Sequence, residues 1–191
     1  MAKVLVPLAQ GCEELEAVTV IDLLRRAGIE VVVAGLVPGP VTASRKTTIL
    51  PDTDLDSALA DGDEYDMVVL PGGLPGADHL DNDRRIHALL ARFAAQSRYI
   101  AAICAAPKVL VNAGLLAGRR ATSYPGVLES FGADDITIET QAVVRDGNVI
   151  TSRGPGTAME FALSLIALLA DQATADEVSD GLVRQAPVPV A

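Results

Sequence analysis

Cys104 lies in the run Tyr99–Pro107, YIAAICAAP, between small residues. A nucleophile on a sharp strand-to-helix turn needs small side chains two positions to either side, as in the G-x-S-x-G elbow. Ala102-Ile103-Cys104-Ala105-Ala106 meets that need. A helix opening just after the turn aims unpaired N–H groups and its positive dipole end at the sulfur, which lowers a thiol pKa and favours the thiolate. Pro107 suits the first helical turn, where no N–H is required. An inert cysteine packed among alanines fits the same five residues equally well.

Two further segments carry groups that such a thiol needs. Leu70-Pro71-Gly72-Gly73 follows an apolar run, and paired glycines let the backbone approach a ligand and present N–H groups to an oxyanion. A plain tight turn has the same composition. Gly11-Cys12-Glu13-Glu14-Leu15-Glu16 crowds carboxylates at a helix start. Glu13 and Glu14 answer the ordinary preference for acids there. Glu16 sits beside Leu15, Ala17 and Val18 and is expected to point inward; a buried carboxyl without a cation keeps its proton, which it can donate or pass on.

Other chemistries lack their residues. The two histidines precede Cys104: His79 is expected in a loop and His87 on a solvated helix face, and neither has a motif marking it as a base for the thiol. No His/Cys/Asp cluster has ligand spacing, so no metal is expected. With no G-x-G-x-x-G after the first strand and no Walker loop, no nucleotide cofactor is expected either.

The elements that must hold these residues are legible from periodicity. Short apolar runs at Lys3–Leu8, Glu30–Leu36, Asp66–Leu70 and Tyr99–Ile103 read as strands buried on both faces, with a short strand at Arg120–Tyr124. Helical spacing covers Glu13–Ala27, stopped by Gly28, then Asp83–Gln96, Lys108–Leu116, Thr157–Ala170 and a turn or two at Glu177–Val183. Ala142–Arg145 and Asn148–Thr151 flank Asp146-Gly147 as a hairpin. Strands alternating with helices predict a three-layer α/β sandwich with a mostly parallel sheet. In such sheets, sites collect beyond the carboxyl ends of the strands, where Gln10–Glu16, Pro71–Gly76 and Cys104–Pro107 all fall. We read one domain over residues 1–191, with 185–191 (QAPVPVA) as an extended tail.

The chain has 191 residues, half of them hydrophobic, which suffices for one substantial core. A formal net charge of −10 argues against nucleic acid as a stable partner. The two cysteines make no disulfide framework, so a cytoplasmic location is expected. The apolar runs at MAKVLVPLAQG and FALSLIALLA are too short to span a bilayer, and no membrane partner is expected.

Taken in order, GCEELEAVTVIDLLRRAGIEV, YDMVVLPGG, IAAICAAP and TSRGPGTAMEFAL resemble the DJ-one/ThiJ branch of the ThiJ/PfpI superfamily, from Val4 to about Leu169. The resemblance implies a flavodoxin-like fold related to class I glutamine amidotransferase domains, and a homodimer. It places the reactive cysteine at Cys104, its protonated partner at Glu16, and the oxyanion donors at Gly73, beside Gly72, and at Ala105. It sets Gly154 and Pro155 near the sulfur. The implied activity is that of a glutathione-independent glyoxalase or deglycase, a lyase or hydrolase needing no cofactor, that converts 2-oxoaldehydes such as methylglyoxal, or glycated substrates, to 2-hydroxy acids. The alternative is a redox-sensing stress protein or chaperone that works through reversible and sulfinate oxidation of Cys104. The chain departs from the human-type pattern at Tyr124, where Thr122-Ser123-Tyr124-Pro125 replaces a motif with histidine. Tyr124 is expected to shape the pocket or to hydrogen-bond a substrate carbonyl. Ala105 stands where the superfamily's protease branch has histidine, and no downstream histidine and acid pair follows Cys104 as in an amidotransferase.

Overall fold

Along the first strand, Val4, Val6 and Leu8 enter one core while Leu5 enters another. A strand with apolar side chains on both faces must be covered on both faces, and this sets a three-layer arrangement. The computed structural model describes residues 1–60, 65–132 and 135–184. The expected tail, residues 185–191, lies outside the described residues.

The order is β1 (Lys3–Leu8), α1 (Glu14–Arg26), β2 (Glu30–Gly35), a small hairpin of β3 (Val41–Thr42) and β4 (Thr48–Ile49), β5 (Thr53–Asp54) and α2 (Leu55–Ala60). Then come β6 (Met67–Leu70), α3 (Gly76–Asn82), α4 (Arg84–Ala95), β7 (Tyr99–Ile103) and α5 (Pro107–Asn112). The chain continues through β8 (Arg120–Ala121), β9 (Thr137–Ile138), β10 (Val143–Asp146), β11 (Val149–Ser152), α6 (Ala158–Leu169) and α7 (Gln172–Gly181).

Among the described residues the main sheet has seven strands in the order β10-β11-β7-β6-β1-β2-β5. Its pairs are parallel except β10 with β11. β1 carries β2 on one side and β6 on the other, so the chain reverses direction at β1 and opens a crevice at the carboxyl ends there. One core joins α1 and α6 to the sheet through Val20, Leu24, Phe161 and Leu165. The other joins α2, α3, α4 and α5 through Leu55, Leu80, Phe93 and Leu110. This is the expected α/β sandwich with a mostly parallel sheet.

Several elements differ from their sequence expectation. The helix expected over Lys108–Leu116 ends at Asn112, and the strand expected over Arg120–Tyr124 ends at Ala121. The hairpin turn falls on Gly147 and Asn148, one residue later than expected, because Asp146 still pairs with Val149. α7 begins five residues earlier, where Asp171 caps it by accepting the Thr174 N–H at 2.8 Å. His79 stands on α3, not in a loop, and the Nε2 of His87 lies 2.8 Å from Asp81 O instead of facing solvent freely.

Candidate active site

β7 ends at Ile103 and α5 begins at Pro107, so three residues make the turn. Cys104 sits in it with φ of 64°, the left-handed region that costs a non-glycine residue about 1–3 kcal/mol. Two main-chain bonds hold the strained residue. Its N–H donates to Ser152 O at 3.0 Å, and its carbonyl accepts the Tyr124 N–H at 2.9 Å. The alanines on either side leave room for the sharp reversal, and the thiol is left 8% exposed at the carboxyl edge of the sheet.

Glu16 is on the first turn of α1 and fully buried. Its Oε2 accepts the Gly72 N–H at 2.8 Å. Its Oε1 is buried with no hydrogen-bond partner among the described residues. The carboxyl also interacts with the Cys104 thiol. Gly72 is required by proximity: a Cβ there would lie 2.7 Å from the Cys104 Cβ and 2.8 Å from Glu16 Oε2. Gly73 is required by conformation as well, with φ of 86° and its missing Cβ aimed at the backbone of Gly11, Cys12 and Glu13. The loop after β6 therefore lies flat on the loop after β1, stitched by the Glu13 N–H to Gly72 O at 2.9 Å. Glu16, Gly72, Gly73, Cys104 and Ala105 thus come together from the first turn of α1 and the loops after β6 and β7.

The electrostatics correct one expectation. Burial pushes Glu16 up to about 7, against the hydrogen bonds from Cys104 and Gly72 that favour its anion. Cys104 is not lowered: burial first, then the charge and hydrogen bonding of Glu16, push the thiol up to about 12. The N–H groups of Gly73 and Ala105 favour the thiolate, but burial and the Glu16 carboxyl outweigh them. The helix end expected to lower the thiol does not offset the burial of the sulfur. A proton on Glu16 removes the charge beside the sulfur and so favours the thiolate.

Tyr124, Gly154 and Pro155 gather at a neighbouring hollow of about 230 Å³, with Arg153 and Thr157. A Cβ on Gly154 would touch the Tyr124 ring at 3.3 Å, so the two residues shape one wall. The Thr157 Oγ1 fixes this loop, 3.1 Å from the Gly154 N and 2.8 Å from the Ser152 Oγ. These residues join Cys104 through the Ser152 and Tyr124 main-chain bonds. Tyr124 remains half exposed. Cys12, in contrast, is fully buried, and burial pushes its thiol up to about 11.

With this geometry in place, the similarity to known proteins can be stated. Residues 2–168 match the model of the DJ-1/PfpI family. The chain belongs to that family. It is 46% identical over 180 residues to the protein dj-1beta of Drosophila melanogaster, covering 94% of this chain and 95% of that relative. The crystal structure of that fly protein superposes with a TM-score of 0.91 at 44% identity, covering 97% of this chain and 99% of the other. A Pyrococcus abyssi protein named as a deglycase is 33% identical over 170 residues, covering 87% of this chain and 99% of that one.

Two side chains near this DJ-1/PfpI site escaped sequence reasoning. Arg153 lines the Tyr124 hollow; its place in TSRGPGT was the available signal. Lys108, one residue into α5, pairs with Asp78 on the first turn of α3. The pair clasps the two segments that carry the Ala105 and Gly73 N–H groups. Lys108→Met is expected to slow iodoacetamide alkylation of Cys104 by about 2- to 10-fold, the value of one misaligned hydrogen bond. Lys108→Arg is expected to restore the rate, and melting should shift little because exposed pairs contribute about 0–1 kcal/mol. An unchanged alkylation rate in the methionine variant would remove the clasp from the account.

Proposed function

We propose that this protein is a cysteine-dependent, glutathione-independent glyoxalase or deglycase-type enzyme that converts 2-oxoaldehydes such as methylglyoxal to 2-hydroxy acids. The observation that carries this reading is the buried Glu16 carboxyl beside Cys104 with the Gly73 and Ala105 N–H groups turned to the same sulfur. The Pyrococcus relative named as a deglycase supports it.

The Cys104 Sγ adds to the aldehyde carbon and forms a C–S bond, while the carbonyl electron pair moves to oxygen. The Gly73 and Ala105 N–H groups stabilise that oxyanion until it takes the Glu16 proton. The Glu16 carboxylate then removes the hydrogen from the former aldehyde carbon. The electrons shift onto the ketone oxygen, the proton of the first hydroxyl passes to that oxygen through the enediol, and Glu16 returns its proton to the former ketone carbon. A thioester of the 2-hydroxy acid results, and water cleaves its C–S bond to release the acid and the thiol. The sum is substrate plus one water, with no external oxidant. Oε1 of Glu16, buried with no hydrogen-bond partner among the described residues, is the oxygen available for the transfers. Tyr124, Gly154 and Pro155 form the wall beside the entering substrate. A cytoplasmic location fits the two free cysteines. A second copy of this chain is the proposed partner, because Leu15 and Val18 lie exposed one turn apart on α1.

The test is formation of D- and L-lactate from methylglyoxal without glutathione. Wild type is expected to form lactate, and Cys104→Ala to form none. Folded wild type that forms none overturns the glyoxalase reading. The peroxide-responsive alternative would then be examined by asking whether Cys104 oxidises before the fully buried Cys12.

A further inference from the structure

A second hollow opens at the carboxyl ends of β1 and β2, and none of its lining residues belongs to the Cys104 site. Its volume of about 390 Å³ falls in the range of about 300–1,000 Å³ typical of small-molecule sites. The floor is aliphatic. Leu8 ends β1, Leu36 follows β2, and Val37 and Val41 lead into the small hairpin. Val37 is left 57% exposed there, a large apolar side chain with no cover. Gln10 forms a fixed wall, because its side chain accepts the Thr42 N–H at 2.8 Å and donates to Pro40 O at 3.0 Å.

The rim comes from the corner between α3 and α4, and its charges are unequally committed. The guanidinium of Arg85 is saturated by Asp83, by Asp56 Oδ1 at 2.8 Å and by Leu36 O at 2.7 Å. Asp83 is occupied by Arg85 in turn and caps α4. Arg84 and His79 line the same rim and make no side-chain hydrogen bond or ion pair among the described residues. The uncommitted charge at the mouth is therefore positive, on a chain whose formal net charge is −10.

We infer that this hollow binds a small aliphatic monocarboxylate. Its chain lies on Leu36 and Val37, above the buried Leu8 and Val41, and its carboxylate meets Arg84 and His79. The apolar floor demands an apolar body, and the free guanidinium offers two parallel N–H donors that match a carboxylate. A cation is repelled at the mouth, and a neutral alcohol leaves the arginine unpaired. The place agrees with the rule that ligands of open parallel sheets bind outside the strands' carboxyl ends, next to the reversal at β1.

Sodium octanoate, titrated below its micellar range and followed by amide chemical shifts in a ¹H–¹⁵N spectrum, tests the site. Saturable shifts are expected at Val37, Val41 and His79. Arg84→Glu is expected to weaken binding by at least about 10-fold, as loss of a charge-assisted hydrogen bond implies. 1-Octanol is expected to bind at least as weakly as octanoate does to that variant, and Cys104→Ala to bind octanoate like wild type. Val37→Asp, which puts a charge on the exposed part of the floor, serves as an independent block. No saturable shift by about 10 mM, a Kd too weak to count as a site, overturns the inference. So do equal binding of octanol, unchanged binding in Arg84→Glu, or shifts centred on Cys104.

Discussion

Glu16→Gln is expected to lower turnover of methylglyoxal by about 10²–10⁴-fold, the usual value of a positioned acid–base group, while raising the alkylation rate of Cys104. The two effects have opposite signs for one reason. The amide retains an oxygen for the Gly72 N–H, so the loop stays in place. It also removes the charge that, after burial, does most to hold the thiol up at about 12. The sulfur then ionises more readily, but nothing carries a proton between the substrate carbons. Measuring both rates on one preparation separates the roles. Equal turnover in wild type and variant would end the proton-transfer role, and slower alkylation would contradict the assigned direction of the thiol's shift.

The same substitution has a signature in stability. Burial raises Glu16 from 4.5 to about 7, so between these values the folded protein holds a proton that the unfolded chain has released. Unfolding then releases a proton, and this group's contribution falls as pH rises through that window. A shift of this size corresponds to roughly 3 kcal/mol. Glu16→Gln has no such titration. Its stability relative to wild type is expected to increase from pH 4.5 to 7 in urea melts, and a constant difference would contradict the raised value.

Gly73→Ala is expected to cost about 2–6 kcal/mol of folding stability, combining a strained left-handed residue with overpacking. At φ of 86° the new methyl would lie 2.6 Å from Gly11 O and 2.7 Å from the carbonyl carbon of Cys12. Both neighbours are main chain and cannot rotate away. Relief requires the loop after β6 to lift from the loop after β1, which withdraws the Gly73 N–H from the sulfur. Gly181→Ala is the control, since nothing lies within 4 Å of its missing Cβ. Its melting temperature is expected to stay within a few degrees of wild type or rise slightly. A Gly73→Ala protein that melts with wild type would refute the close packing described for these loops.

Local order along the chain was enough to reveal the sandwich, since a strand covered on both faces reads as an unbroken apolar run and a helix as a 3.6-residue repeat. β1, β7, α1, α4 and α6 are long or apolar enough for those signals, and the capping Asp83 and stopping Gly28 mark ends that depend on neighbouring residues. The motifs around Cys104, Glu16 and Gly72-Gly73 were legible because a tight turn restricts residue size within a few positions. α2, α3 and the β3–β4 hairpin were not, because elements of two to seven residues contain too little of any period.

Tertiary structure alone decided the rest. Gly72 is glycine because Cys104 and Glu16, 32 and 56 residues away, approach within reach of its Cβ. The thiol is pushed up because the fold buries it and then sets a carboxyl from α1 beside it, reversing the direction expected from the helix end. Arg85, already paired with Asp83, gains Asp56 and Leu36 O from across the chain while its neighbour Arg84 is left uncommitted among the described residues. These are effects of distance and desolvation between segments far apart in sequence, and they take values only when the sheet has brought the segments together.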